Sequence, residues 1–148
     1  MKFLLVLLFC VLQVSAADSL QVTDVFARAT NGKNGAVFMT LKNEGNRMHK
    51  LISAKVSDPI AEKCELHTHV VEGNTYRMRK IPSIEVPAGS QVQLKPGGLH
   101  VMLMGLKKHL VQGQTFDLTL VFGSGANVNV EVPIKSAGAM SASCGCQS

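Results

Sequence analysis

Apolar and polar residues alternate with a period of two along most of the chain, a pattern typical of β-strands that bury one face. In GAVFMTLKN (35–43), for example, Val37, Met39 and Leu41 fall on one side of the predicted strand. Clusters of Gly, Asn and Pro separate such segments, and about eight or nine strands follow at the spacing of a sandwich or barrel. We therefore predict an all-β domain, in which only PIAEKCEL (59–66) is a candidate for a helical turn.

Changes of composition divide the chain into three parts. Residues 1–17 carry Lys2, then an apolar run and small residues, which is the pattern of a secretory signal peptide. That run is too short to span a bilayer. We assign residues 18–134 to a single β domain and the small, polar residues 135–148 to a flexible tail. The mature protein is thus expected to be exported, with no membrane span.

The charge of the chain argues against a nucleic-acid partner. The formal net charge is +5, and removal of the signal peptide, with its lysine, lowers it to about +4. Lysines and arginines are scattered, and aromatic residues make up only 5% of the chain, so there is no basic block with aromatic side chains for stacking bases.

Side chains with soft donor atoms recur at alternate positions in GGLHVMLMGL (97–106). A strand would place His100, Met102 and Met104 on one face, with neighbouring donors about 7 Å apart. Methionine often fills irregular core gaps, but imidazole and thioether together suit copper, and thioether favours Cu(I).

Other segments supply further candidate donors. ELHTHV places His67 and His69 on one face of a second predicted strand, and YRMRK places Met78 between two arginines. Taken alone, Met78 is equally compatible with an inward position on an edge strand.

The spacing of four of these residues resembles a known signature. His67 is followed after ten residues by Met78, after twenty-one more by His100, and after one more by Met102. This pattern resembles that of the periplasmic copper chaperones called PCu(A)C. The surrounding segments VFMTLKNEGN, CELHTH, IEVPAG, VQLKPGGLHVMLMGLKKHL and EVPI also resemble that family, over roughly residues 20–134.

The resemblance implies a cupredoxin-like Greek-key barrel or sandwich that holds one Cu(I) ion through His67, Met78, His100 and Met102. It also implies a periplasmic, non-enzymatic carrier that delivers copper to an accepting protein, such as a cytochrome c oxidase subunit. We expect this carrier to be a monomer.

The three cysteines of the predicted mature chain depart from the family pattern. By strand parity Cys64 points away from the ligand face and is expected to be a buried thiol. Cys144 and Cys146 are either an accidental or disulfide-linked end of the tail, or a second, mobile copper site. A thiol oxidoreductase acting through this pair is a first alternative function, although the pair is not a Cys-x-x-Cys motif.

A second alternative function rests on the histidines. His69 is a possible additional donor beside His67 for Cu(II) or zinc. Because imidazole also suits zinc, a secreted zinc- or copper-sequestering protein using His67, His69 and His100 stays open on the sequence alone.

Overall fold

The computed structural model of the protein describes residues 20–56 and 60–142. The predicted signal peptide and the two tail cysteines, Cys144 and Cys146, lie outside the described residues. Within the described part the structure contains ten strands: β1 (Leu20–Arg28), β2 (Asn34–Asn43), β3 (His49–Val56), β4 (Ala61–Glu72), β5 (Thr75–Lys80), β6 (Ile84–Val86), β7 (Gln91–Leu94), β8 (His100–Leu106), β9 (Thr115–Phe122) and β10 (Asn127–Lys135).

The all-β prediction is confirmed, and the helical turn considered for residues 59–66 is wrong. Strand β4 begins at Ala61 and runs through this segment. Ala61, Cys64 and Leu66 pair with residues of β8, so pairing with a distant strand overrides the weak local tendency to form a helix. No helix within residues 20–56 and 60–142 has the length and apolar character needed to cross a membrane.

The described strands form one sheet in the order β5-β4-β8-β2-β1-β10-β9-β3-β6, with β7 also paired to β2. Neighbours are antiparallel except β1 and β10, which pair in parallel at Ala27–Ile134 and Arg28–Lys135. This junction joins two halves of the sheet, and β3 of one half contacts β4 of the other. The two halves therefore enclose one apolar core between them.

The core draws on both halves of the sheet. Val37, Leu66 and Val101 come from the half that carries the candidate ligands, while Leu118 and Val132 come from the other half, and all belong to one buried cluster. In β4 and β8 the core residues alternate with the candidate ligands. Packing of one face thus holds the backbone that presents the ligands on the opposite face.

The beginning of the predicted tail contacts the domain. Strand β10 extends to Lys135, one residue past the expected boundary of the domain. Beyond it, Nε of Arg28 donates a hydrogen bond to the carbonyl oxygen of Ala139 at 2.7 Å, and Nη2 of Arg28 lies 3.0 Å from the sulfur of Met140. The segment 136–142, defined here as the C-terminal strap, is thereby held against β1.

Candidate metal centre

The register of the sheet brings the candidate ligands to one face. His67 in β4 lies directly opposite His100 in β8, and Met102 is two residues further along the same strand. On the other side of β4, His69 pairs with Met78 in β5. Paired residues of neighbouring strands point to the same face, and so do residues two apart. All five side chains therefore share the face of the sheet opposite the core.

This face forms one side of an open cleft of about 600 Å³. Met78, His100 and Met102 line it, together with His69, whereas His67 does not. The structure thus brings three of the four predicted ligands, and the candidate additional donor, to one cavity. The remaining lining residues are Arg28, Ala29, Thr30, Asn34, Gly35, Ala36, Phe38, Pro96, Gly97 and Ala137.

His100 is held by the turn that precedes β8. Gly97 adopts a left-handed φ of 84°, which glycine tolerates without steric cost, and the nitrogen of Gly98 donates to the carbonyl oxygen of Lys95 at 2.9 Å. Nδ1 of His100 lies 3.1 Å from the carbonyl oxygen of Gly98 and donates to it. The lone pair is therefore on Nε2, the nitrogen left for a metal.

Burial favours the neutral form of the His100 ring. The residue is 2% exposed, and desolvation lowers the pKa of its imidazole, reinforced by the nearby rings of His69 and His67 and opposed by the hydrogen bond to Gly98. A neutral imidazole is the form that binds a metal.

His67 has a carboxylate partner that the sequence analysis did not identify. Nε2 of His67 lies 2.9 Å from Oε2 of Glu65, and it donates because a carboxylate only accepts. Nδ1 of His67 is then a buried nitrogen with no hydrogen-bond partner. Buried polar atoms normally have partners, so this lone pair is available to a bound metal. The signal for Glu65 was its position two residues before His67, on the same face of the strand.

Glu65 also forms ion pairs with two lysines beside the site. Its Oε1 lies 3.1 Å from Nζ of Lys63 and 3.4 Å from Nζ of Lys80. The hydrogen bonds from His67 and Lys63 lower the pKa of Glu65 to about 2, against the opposing effect of desolvation. The carboxylate therefore stays ionised and orients His67 throughout the neutral range.

His69 shares the hydrogen-bond acceptor of His100, the carbonyl oxygen of Gly98. Its Nδ1 lies 3.3 Å from the carbonyl oxygen of Gly98, and its ring centroid is 5.3 Å from that of His100. The ring centroid of His67 is 5.8 Å from that of His100. Two imidazoles therefore flank His100, one inside the cleft and one beside it.

An aromatic and cationic wall closes another side of the site, and this too was missed from sequence. The ring of Phe38 lies 6.1 Å from the ring of His100 and 5.2 Å from that of Phe26. The guanidinium carbon of Arg28 lies 5.6 Å from the centroid of Phe38. Phe38 reaches His100 through the pairing of β2 with β8, two strands far apart in sequence, so no local pattern indicated the contact.

Cys64 lies on the core side of β4. It is half-buried, unpaired and packed against the core. Burial raises the pKa of its thiol to about 11, opposed by a hydrogen bond with the backbone of Val56. At neutral pH it is a protonated thiol, which is a poor nucleophile and metal ligand.

The ligand face carries both nitrogen and sulfur donors. Within residues 20–56 and 60–142, no group of three or more His, Cys, Asp or Glu side chains is arranged to hold a metal ion. The face does offer imidazole nitrogens and thioether sulfurs in one place. This combination suits a soft, monovalent ion better than a hard divalent one.

Comparisons with known proteins agree with this architecture. The model of the family described as "Putative lipoprotein LpqE-like" matches residues 20–134. A putative lipoprotein of Leifsonia xyli subsp. xyli is 37% identical over 120 residues, which are 80% of this chain and 71% of that protein. The Cu(I) solution structure of DR1885 from Deinococcus radiodurans superposes with a TM-score of 0.63 at 32% identity, covering 84% of this chain and 85% of that one.

The copper-bound PCuAC domain from PmoF2 has a TM-score of 0.67 at 22% identity and covers 80% of this chain and 93% of that domain. At 22% sequence identity this structural similarity supports the fold alone. Together the comparisons confirm the resemblance to the PCu(A)C family and the cupredoxin-like fold class.

Proposed function

This chain belongs to the LpqE-like family, whose model matches residues 20–134, and on that premise we propose that it is a copper carrier. It binds one Cu(I) ion through His67, Met78, His100 and Met102 and releases it to another protein. The observation that carries the proposal is the shared face of β4, β5 and β8, on which the sheet register gathers two imidazoles and two thioethers.

The residues fit this cargo in chemical terms. His67 has a buried Nδ1 without a partner, and the hydrogen bond of His100 Nδ1 to Gly98 leaves Nε2 with its lone pair. Met102 is 8% exposed and Met78 is 47% exposed, so the two thioethers lie at different depths. Thioethers are neutral and soft and hold Cu(I) without the permanent charge of thiolates, which suits an ion that must be given up.

His69 is an additional donor in this proposal. It lines the cleft that His67 does not enter and retains Nε2 while Nδ1 is engaged by Gly98. It can complete a site for Cu(II) or for zinc, both of which accept imidazole. In this proposal Cys144 and Cys146 form either a disulfide or a second, thiolate-based copper site.

We further propose that the carrier works in the periplasm after removal of residues 1–17. The matching family and the Leifsonia relative are both described as lipoproteins, which supports export. The acceptor is a copper protein such as a cytochrome c oxidase subunit, and the carrier is a monomer with no nucleic-acid partner. A carrier of this kind requires no catalytic residue, and none is assigned.

Titration of the full chain with Cu(I) under reducing conditions, against a chromophoric chelator, tests the proposal. Wild type and the matched control His109→Ala, which changes an exposed histidine outside the cleft, should each retain one Cu(I). His100→Ala should lose it. Excess Zn(II) should not displace the copper, and Cys144→Ser with Cys146→Ser should leave it bound.

Dominant zinc binding that survives Met102→Leu would instead support the sequestering alternative. A thiol-oxidising activity abolished by the two tail substitutions, without copper binding at the cleft, would support the oxidoreductase alternative.

A further inference from the structure

An exposed apolar patch continues outward from the cleft along the β4–β5 hairpin. Val71 is 62% exposed, Tyr76 is 74% exposed and Met78 is 47% exposed. Val71 pairs with Tyr76, and the next pair on the same face is His69 with Met78, so all three apolar side chains lie on the ligand face. We define Val71, Tyr76 and Met78 as the hairpin patch.

The hairpin patch differs from the scattered apolar residues that any surface carries. Its members are contiguous: Tyr76 and Met78 lie on the edge strand β5, all of whose residues are exposed, and Val71 lies beside them on β4. Tyr76 is the only tyrosine of the chain and projects into solvent. Contiguous exposed apolar side chains with a polar rim mark interaction sites, and tyrosine is enriched in the centres of such sites.

The charge around the hairpin patch indicates which partner it fits. Strand β5 contains Arg77, Arg79 and Lys80 and no acidic residue. Arg77 and Arg79 share the single carboxylate of Glu72, at 3.4 and 2.6 Å. Lys80 shares Glu65 with Lys63. Each carboxylate therefore faces more than one cation. Lys80 lies on the ligand face with Met78, whereas Arg77 and Arg79 lie on the opposite face of the same exposed edge strand. The rim of the hairpin patch, formed by these three cations along the edge, therefore keeps an excess of positive charge.

The same charges disfavour a second copy of this chain as the occupant. Pairing of two β5 edges would set three cations against three cations, and like charges on paired strands are destabilising. An acidic surface would meet the rim with opposite charge, and it would be steered to the cleft by long-range attraction.

The following inference rests on the proposed function. We propose that the hairpin patch is the docking surface for the copper-accepting protein, whose own copper site lies in an apolar surface rimmed by carboxylates. Met78 is the most exposed of the four proposed ligands, since His67, His100 and Met102 are 9%, 2% and 8% exposed. Transfer begins there: a Cu–S bond to Met78 breaks as a bond to a donor of the acceptor forms. Copper stays Cu(I), so no electron is exchanged.

Stopped-flow transfer of Cu(I) from the loaded full chain to synthetic acceptor peptides tests the charge preference. Two peptides share the same His- and Met-containing core, flanked by Asp and Glu in one and by Lys in the other. Transfer to the acidic peptide should be about tenfold faster at low salt, within the range of electrostatic steering, and the difference should shrink as NaCl screens it. Equal rates to both peptides would overturn the proposal.

Paired variants locate the effect on the hairpin. Arg77→Gln with Arg79→Gln should slow transfer to the acidic peptide several-fold, while Lys107→Gln with Lys108→Gln, which removes the same charge beyond the opposite end of β8, should change it little. Equal slowing by both pairs would show that only net charge matters and would contradict a local docking surface.

A second pair of double variants tests the apolar contribution. Tyr76→Ser with Val71→Ser removes apolar side chains of the hairpin patch. The control, Met48→Ser with Ile52→Ser, changes two exposed apolar residues away from the hairpin. Only the first pair should slow transfer, at unchanged Cu(I) affinity and unchanged unfolding midpoint. Transfer at the wild-type rate in the first pair would overturn the docking proposal. A wild-type chain that retains no Cu(I) before mixing would instead overturn the proposed function, so the two failures are distinguishable.

Discussion

Replacing Met102 and Met104 separately by leucine distinguishes a metal ligand from a half-buried packing residue on the same strand face. Met102 lines the cleft, is 8% exposed, and lies between Ala36 of β2 and Glu65 of β4 in the sheet. Met104 is half-buried, pairs with Asn34 and does not line the cleft. Leucine keeps the volume of methionine and removes the sulfur, so each substitution isolates the donor atom.

The two effects differ enough in size to be separated. A volume-conserving apolar exchange in a core costs under about 1.5 kcal/mol, which lowers the unfolding midpoint by roughly 6 °C at most for a domain of this size. Loss of a partner that only orients a ligand already costs about 10–100-fold in metal affinity. Loss of a ligand itself should therefore exceed about 100-fold, or about 2.7 kcal/mol.

Competitive Cu(I) titration with a chromophoric chelator, together with thermal unfolding of the apo-proteins, measures both quantities. Met102→Leu should weaken Cu(I) binding by more than about 100-fold with a small change in midpoint. Met104→Leu should leave the affinity within about twofold, since its sulfur lies about 7 Å further along the strand. If Met104→Leu is the more damaging variant, the assigned ligand set is wrong.

Three further outcomes are expected. Burial lowers the pKa of His100, so the unfolded chain binds a proton there more readily than the folded protein, and stability falls as the pH drops below about 6.5. Thermal melts of the apo-protein from about pH 7.5 to about pH 5 should show a falling midpoint, with Cu(I) lost over the same range; constant values would contradict this. Glu65→Gln removes the carboxylate that holds His67 and should weaken Cu(I) binding about 10–100-fold. The control Glu85→Gln on β6 should leave Cu(I) binding unchanged. Equal Cu(I) titration curves for the two variants would refute the orienting role of Glu65. Truncation after Lys135 removes the carbonyl oxygen that accepts from Arg28 and should cost about 1–2 kcal/mol in chemical denaturation; an unchanged free energy of unfolding would show that the strap contributes nothing.

Much of the ligand face could be predicted because it depends on local periodicity. A period of two placed His100 with Met102 and His67 with His69, whatever strands surrounded them. The family spacing added Met78, which no local pattern could have linked to the others. The structure adds the register that sets His67 opposite His100, and register between distant strands is fixed by tertiary packing and not by either segment alone.

The features that sequence reasoning missed depend on contacts between distant segments or on chemistry that was passed over. Arg28 contacts both the ring of Phe38 and the carbonyl oxygen of Ala139. The contact with Ala139 joins residues more than a hundred positions apart and holds the first part of the predicted tail against the domain. Glu65 was within reach of analysis, since it precedes His67 by two residues. A carboxylate is a hard donor that does not suit Cu(I), and the period of two does not by itself indicate that Glu65 orients a ligand.

X-ray absorption spectroscopy of the Cu(I)-loaded chain carrying Cys144→Ser and Cys146→Ser tests the central claim most directly, because it counts the atoms around the metal. With the tail thiols removed, Cys10 cleaved off with the predicted signal peptide and Cys64 facing the core, any sulfur bound to copper must come from methionine. We expect a shell of about two nitrogen and about two sulfur neighbours, which loses one sulfur in Met102→Leu and keeps both in Met104→Leu. A shell of nitrogen and oxygen alone would contradict this expectation.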